Sequence, residues 1–374
     1  MVKLENRHQE LMARAVALGD AVRRRTPPNP WVGCVLVRDG VVVGEGATEP
    51  PGGRHAEVVA LDDAGMRARG ATAFVTLEPC SHHGRTPPCV DALLSAGVGE
   101  VVVAQTDPDP QVDGAGIARL RAGGATVRTV DDAAAEASLA PYLHHRRTGR
   151  AWCVLKTASS LDGRVAAPDG TSRWITGPAA RADAHELRAD SHAVVIGSST
   201  ALVDRPALSV RDVTVAPRVA PLRVVLDSRG RVPADGDLFD PLLGTTMVLT
   251  TAEAPADAID RWRGAGAKVE TVDPGPQGIG VDLAAALALL GREGVLQAMF
   301  EGGPTVHGGL LAAGLVDRVV AYVAGVALGP GGRPSLEWDG PPTLAAAPRF
   351  GLRSATALGD DVRLDLVPAA GGEG

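Results

Sequence analysis

Apolar residues recur at helical spacing from the start of the chain. Leu4, Leu11, Ala15, Leu18 and Val22 predict an amphipathic helix over 4–22. The run Thr26-Pro27-Pro28-Asn29-Pro30 ends it, because proline lacks the N–H a helix needs. Two short apolar runs, 32–37 and 41–46, flank Asp39-Gly40, a strong signal for a tight hairpin. The pattern then alternates: helix 55–69, strand 71–77, helix 87–96, strand 100–105, helix 117–121, strand 126–130 and helix 133–146. A polar turn at 147–150 interrupts it. A second alternation begins with strand 152–156 and continues with strands 193–196, 222–226, 246–249, 267–271, 295–300 and 318–323. Helices are predicted between them over 178–188, 255–263, 283–290 and 305–313, two of which open on a proline suited to the first helical position. Such alternation predicts layered α/β sheets, here in two domains, 1–147 and 151–367, with 368–374 a fraying tail.

The length of 374 residues also suits two domains. Hydrophobic residues make up 45% but aromatics only 3%, so the cores are built from aliphatic side chains. A net charge of −7 argues against a general nucleic-acid or membrane binder, which would carry a basic stripe. The clusters Arg23-Arg24-Arg25 and His144-His145-Arg146-Arg147 read as solvated helix ends. Four cysteines do not make a disulfide framework, and Cys34 and Cys153 lie in apolar runs expected to be buried. The first ten residues lack an apolar signal core, and no stretch approaches the roughly 20 apolar residues that span a bilayer. The expectation is a soluble protein of the reducing cytoplasm.

Chemistry concentrates between Arg54 and Cys89. His55 and Glu57, with Pro79-Cys80 further on, match most of the H-x-E…P-C-x-x-C pattern of zinc deaminases, except that the second cysteine lies at Cys89. Zinc takes thiolates and imidazole nitrogens tetrahedrally, and three ligands leave one position for water. His55, Cys80 and Cys89 supply three, which frees Glu57 to shuttle protons. Residues two apart in a helix point about 200° apart, so His55 and Glu57 converge only if His55 sits at the helix start. Thr86 as cap and Pro87 as first residue would place Cys89 in the first turn of another helix, whose positive end favours thiolate. Zn²⁺ with two thiolates is formally neutral and acidifies water less than an all-histidine site, so a carboxylate must take the proton and return it to a leaving amine. Hydrolytic loss of ammonia from an amidine-like ring carbon suits this set. The alternative is a closed structural site completed by His82 or His83, which leaves Glu57 without a task.

In the second half, strand 295–300 runs into Glu301-Gly302-Gly303-Pro304-Thr305 and a helix. Bare N–H groups at such a helix start bind phosphate, although the pattern is not a G-x-G-x-x-G dinucleotide fingerprint.

Together these stretches resemble a known family. T-P-P-N-P-W-V-G-C-V-L-V, H-A-E-V-V-A-L and V-T-L-E-P-C-S-H-H-G-R-T-P-P-C are similar to the bacterial bifunctional riboflavin-biosynthesis deaminase–reductases. So are L-K-T-A-S-S-L-D-G-R, S-R-W-I-T-G, V-I-G-S-S-T-A-L-V-D-R-P-A-L-S-V-R, V-L-D-S and F-E-G-G-P-T; the match spans about 14–366. The resemblance implies a cytidine-deaminase-like three-layer domain followed by a dihydrofolate-reductase-like α/β domain. It implies one zinc per chain on His55, Cys80 and Cys89, Glu57 as proton shuttle, and Asn29 against the pyrimidine. The long Cys80–Cys89 spacing belongs to this branch, with 81–85 shaping the pocket. For the second domain it implies NADPH, lined by Ala158, Trp174, Thr200, Asp204, Ser228 and the turn Gly303, Pro304, Thr305, Val306, His307, Gly308 and Gly309. Ser172, Arg188, Leu208, Arg211 and Glu301 would hold the substrate. Lys156, Arg188 and Arg211 offer counter-charge to a phosphate of nearly two negative charges, and Asp204 is a candidate catalytic acid. The expected substrate is a phosphoribosyl pyrimidine, deaminated and then reduced, in a homo-oligomer that engages neither nucleic acid nor membrane. Two other readings fit the same residues: a deaminase whose second domain only binds or regulates, and a nucleic-acid base deaminase.

Overall fold

The computed structural model describes residues 2–84 and 86–369, and the chain divides into two units, Met1–Gly149 and Arg150–Gly374. No helix among the described residues is long and apolar enough to cross a membrane.

The first unit runs α1 (Val2–Val22), β1 (Gly33–Arg38), β2 (Val41–Ala47), α2 (Ala56–Ala64), β3 (Thr72–Val75), α3 (Cys89–Ser95), β4 (Glu100–Val103), α4 (Ala115–Ala122), β5 (Thr126–Thr129) and α5 (Ala133–Thr148). Its five strands lie in the order β2-β1-β3-β4-β5, antiparallel across β1 and parallel from β3 onward. Period-2 burial sends alternate side chains to opposite faces. Val35, Val37, Phe74 and Val102 pack with Leu11, Met12 and Ala15 of α1 and Ala135 of α5. Cys34 and Leu36 are fully buried on the other face, where α2 rests on β2. Contact there depends on glycine: a Cβ at Gly46 would lie 2.2 Å from the carbonyl of Ala56. Helix α5 begins because Asp132 accepts from the Ala135 N–H, and ends at Gly149, whose φ of 73° few other residues adopt readily.

The second unit runs β6 (Trp152–Ser160), β7 (Arg164–Ala166), α6 (Pro178–Ala189), β8 (Ala193–Gly197), α7 (Ser198–Asp204), β9 (Leu222–Leu226), β10 (Thr246–Thr250), α8 (Ala256–Gly264) and β11 (Lys268–Thr271). It continues with α9 (Leu283–Arg292), β12 (Gln297–Gly302), α10 (Pro304–Ala312), β13 (Arg318–Ala324), β14 (Arg333–Pro334), β15 (Phe350–Leu358) and β16 (Asp361–Pro368). The nine-stranded sheet is ordered β11-β10-β9-β8-β12-β6-β13-β16-β15; it is parallel up to β13, then closed by an antiparallel hairpin. Both faces are covered, as a parallel sheet requires. Cys153, Leu155, Val195 and Phe300 pack beneath α9 and α10. Val154, Val194, Ile196 and Met299 pack with Ala180, Leu187 and Trp262 of α6 and α8.

Several expectations change. The cap of α3 is Pro88, not Thr86, and Cys89 is its first residue. Pro255 caps α8 instead of opening it. The hairpin β15–β16 was not predicted, because β15 is exposed along almost its whole length and no buried face imprints alternation on its sequence. Pro368 closes β16 and the Ala369 N–H bonds the carbonyl of Arg349, so the expected tail does not begin at 368; residues 370–374 lie outside those described.

Candidate functional site

Because β1 runs antiparallel to β2 and β3, its beginning lies beside their ends. Gly33 N–H bonds the Thr76 hydroxyl, and Val32 N–H bonds that of Thr48. The turn carrying Asn29, the segment leading to His55 and the segment leading to Cys80 therefore leave the sheet at one edge. His55 is the cap of α2, with extended φ and ψ of −77° and 162°, and Glu57 lies in the first turn. This is the helix-start geometry that lets two residues of H-x-E converge.

The ligand atoms meet. His55 Nδ1 lies 3.2 Å from Cys89 Sγ and 3.5 Å from Cys80 Sγ, and the two sulfurs are 3.5 Å apart. Tetrahedral zinc requires about 3.5 Å between nitrogen and sulfur and about 3.8 Å between sulfurs, given its bond lengths. A disulfide would need about 2.05 Å, and both cysteines are free. The donor set fits zinc. Between the two thiols Cys80 is the favoured thiolate, because hydrogen bonds from the Cys89 thiol and from His55 pull it well below the usual thiol range. Cys89 is pushed far up by sharing that proton with Cys80, then by burial and Glu57. Glu57 is 4% exposed, and burial followed by the charge of Cys80 raises its carboxyl to about 7. His82 and His83 are exposed and stand outside the ligand group, and Arg85 lies outside the described residues.

The second site lies at the ends of β6, β8, β9 and β12. Gly302 and Gly303 form a turn packed on Thr200, whose hydroxyl would sit 3.2 and 3.1 Å from a Cβ added at either glycine. Pro304 is the first residue of α10, so Thr305, Val306, His307, Gly308 and Gly309 are helical, as the predicted helix over 305–313 required, and only Gly303 lies in the turn before it. Thr305 donates to Glu337, and Gly308 lies against the Glu337 carbonyl. His307 is 4% exposed, and burial lowers its imidazole to about 4. Ala158 lies on β6, and Ser228 follows β9 with its carbonyl bonded by Thr251. Asp204 ends α7; its carbonyl accepts from Arg173 and burial raises its carboxyl. Trp174, two residues after Ser172, is 67% exposed, with the Arg181 guanidinium 4.5 Å from its ring centre.

The basic residues separate into two kinds. Arg188 is committed: Nε and Nη2 donate to Glu301 at 2.9 and 2.5 Å, and Nη1 donates to the carbonyl of Ser209. Burial pushes Glu301 up, but Arg188 and Lys156 outweigh it and hold the carboxyl at about 2. Lys156 Nζ stands 5.8 Å from the centre of the Tyr322 ring, and burial lowers its pKa. Tyr322 in turn donates to Asp183 at 2.6 Å, which also holds Arg363 of the unpredicted hairpin. Arg211 is exposed and has no carboxylate within ion-pair distance among the described residues; buried Leu208 precedes it by three. His185, three residues before Arg188 on the same helix, joins this group without having been among the expected site residues. Burial, then Arg188 and Arg211, lower it to about 4, and its shielded Nδ1 has no hydrogen-bond partner among the described residues. The i, i+3 spacing was the available signal.

A zinc-type ligand cluster with a buried carboxylate on one α/β unit, and a strand–glycine turn–helix beside a buried ion pair on another, suit a hydrolytic deaminase joined to a nucleotide-cofactor enzyme. Residues 151–364 match the family described as RibD C-terminal domain, and 5–105 match the cytidine and deoxycytidylate deaminase zinc-binding region. The riboflavin biosynthesis protein RibD of Chlamydia trachomatis is 42% identical over 94% of this chain and 93% of its own. That of Escherichia coli is 42% identical over 96% and 98%. Acinetobacter baumannii RibD superposes with a TM-score of 0.84 at 37% identity, covering 97% of this chain and 99% of that one. The chain belongs to the RibD family of riboflavin biosynthesis proteins. It is a bifunctional enzyme with zinc-dependent deaminase and NADPH-dependent reductase activities.

Proposed function

We propose that the first unit deaminates 2,5-diamino-6-ribosylamino-4(3H)-pyrimidinone 5′-phosphate and that the second reduces the ribosyl group of the product to ribityl. A Thermotoga maritima protein 28% identical to this chain, with a TM-score of 0.83, carries the corresponding name, diaminohydroxyphosphoribosylaminopyrimidine deaminase/5-amino-6-(5-phosphoribosylamino)uracil reductase. The observation that carries the first step is the convergence of His55, Cys80 and Cys89 within 4.8 Å, beside buried Glu57.

His55, Cys80 and Cys89 hold the zinc, which when bound supplies an acidified water. Glu57 takes a proton from the attacking water and delivers it to the departing amine, so that C–NH₂ and water become C=O and ammonia. Asn29 orients the ring. In the second unit Thr200, Ser228, Trp174, Ala158 and the Gly303–Pro304 helix start hold NADPH. Arg211 grips the substrate phosphate, while Arg188 fixes Glu301 and the loop carrying Leu208 so that Glu301 faces the sugar. NADPH held there would supply the hydride for the sugar carbon bonded to nitrogen, and Asp204 would supply the proton that accompanies ring opening. Both steps take place in the cytoplasm, in a homo-oligomer.

The test is to give zinc-loaded protein the diamino substrate and measure ammonia release and NADPH oxidation together. Ammonia should appear first, with one NADPH consumed per ammonia. NADPH oxidation without ammonia, or ammonia without oxidation, would overturn the coupled reading.

A further inference from the structure

The segment that carries Cys80 is braced from outside its own neighbourhood. Glu78, two residues earlier, is 4% exposed, yet among the described residues its carboxylate contacts no side-chain cation. Instead four backbone N–H groups point at it. Gly116 and Ile117 donate to Oε1 at 2.9 and 3.0 Å, and Gly114 and Asp107 donate to Oε2 at 3.0 and 3.4 Å.

Two of those donors are the second and third residues of α4. That helix starts after Gly114, which has a φ of 80° and no side chain to cap it. Helix starts leave N–H groups unsatisfied, and a nearby residue normally supplies the oxygen. Here the oxygen comes from Glu78, 38 and 39 residues away in sequence. The same helix presses on the next residue: a Cβ at Gly116 would lie 2.0 Å from the carbonyl of Pro79. One turn on, Arg119 Nη1 donates to the carbonyl of Ser81 at 2.9 Å, and its Nη2 pairs with Asp91 of α3 at 2.6 Å. Helix α4 thus touches Glu78, Pro79 and Ser81, on both sides of Cys80, and reaches the helix whose first residue is Cys89. Cys80 itself makes no bond to α4; its sulfur accepts from Cys89 N–H and its carbonyl from Val90 N–H.

We infer that Glu78 is a positioning residue for the metal centre, which docks the start of α4 and thereby fixes the direction of the Cys80 thiolate. The inference rests on His55, Cys80 and Cys89 being the zinc ligands. The residues that orient ligands from behind commonly contribute 10–100-fold to metal affinity. Glu78→Gln is the informative change, because each carboxylate oxygen accepts two N–H groups. Whichever end the carboxamide NH₂ takes, it faces two donors.

The experiment uses the full-length zinc-loaded protein. Zinc release to a chromogenic chelator is followed for wild type, Glu78→Gln and Arg119→Met, alongside the thiolate-to-cobalt absorption of the cobalt-substituted proteins. Expected are zinc loss about 10–100-fold faster in Glu78→Gln, a shifted or weakened cobalt–thiolate band, a smaller effect in Arg119→Met, and unchanged NADPH oxidation on deaminated substrate. Zinc loss within about twofold of wild type, or an unaltered cobalt band, overturns the inference. Hydrogen exchange of β3 and β4 separates a role in the fold: if their protection collapses in Glu78→Gln while Arg119→Met releases zinc as wild type does, Glu78 holds the domain together and not the thiolate. Wild-type protein without one zinc per chain would refute the ligand assignment instead, a distinct outcome.

Discussion

Replacing Arg188 with methionine removes the main partner of a buried carboxylate, and the structure sets the expected size of the effect. The side chains of Arg188 and Glu301 are 16% and 8% exposed, and two hydrogen bonds join them. Holding Glu301 at about 2 against its ordinary 4.5 corresponds to about 3 kcal/mol, since one pKa unit is about 1.4 kcal/mol. Breaking a buried pair from one side costs about 3–5 kcal/mol, because the remaining charge stays buried. Lys156 still attends Glu301 in the variant, which places the expected loss near the lower end, at about 3 kcal/mol. The sign follows from the lowered folded-state value: the pair's contribution is complete above 4.5 and fades as pH falls through about 2. Hydrogen exchange by mass spectrometry on peptides from β6 and β12, in graded urea, reads this unit apart from the other. The variant should open more readily at pH 7, and the gap should narrow as the pH is lowered from 4.5. A loss below about 1 kcal/mol, the range of an exposed pair, would refute the reasoning. So would a loss that does not change with pH.

Other outcomes follow from the same geometry. Glu57→Gln should retain about one zinc per chain by elemental analysis and lose ammonia release by about 10²–10⁴-fold, because the ligands remain while the proton carrier is gone; normal turnover would remove Glu57 from that role. Arg211→Ala should raise the apparent KM of the reductase step about 10-fold or more, the value of a charge-assisted hydrogen bond, with kcat little changed; an unchanged KM would take Arg211 out of the phosphate site. Gly46→Ala forces α2 away from β2, because the new Cβ meets the Ala56 carbonyl at 2.2 Å. It should cost about 1–3 kcal/mol in unfolding experiments on the first unit and weaken zinc retention through His55; a neutral effect would show that α2 can shift without moving the ligand.

What short-range chemistry can encode was legible along the chain. Helix and strand periods placed most elements of both units, and H-x-E with P-C pointed to side chains that converge in the fold, because each half of that motif is local. It also led to the helix-start position of His55, since His55 and Glu57 converge nowhere else on a helix. The wrong cap on α3 is local too: Thr86 is a good capping residue, but the chain enters the helix two residues later at Pro88. Tertiary structure decided which of several chemically suitable residues are free. Arg188 and Arg211 look equivalent in sequence, yet Arg188 is spent on Glu301, 113 positions away, and Arg211 is left open. Tertiary structure likewise decided that the hairpin β15–β16, exposed on its outer strand β15, completes the sheet and supports Tyr322 through Arg363 and Asp183. It also converted Glu78, a lone acidic residue in a motif, into the cap of a helix far along the chain. Local patterns record only which side chains face inward. Which buried charge meets which partner is set by the order of strands in the sheet, and that order brings together residues that no short window contains.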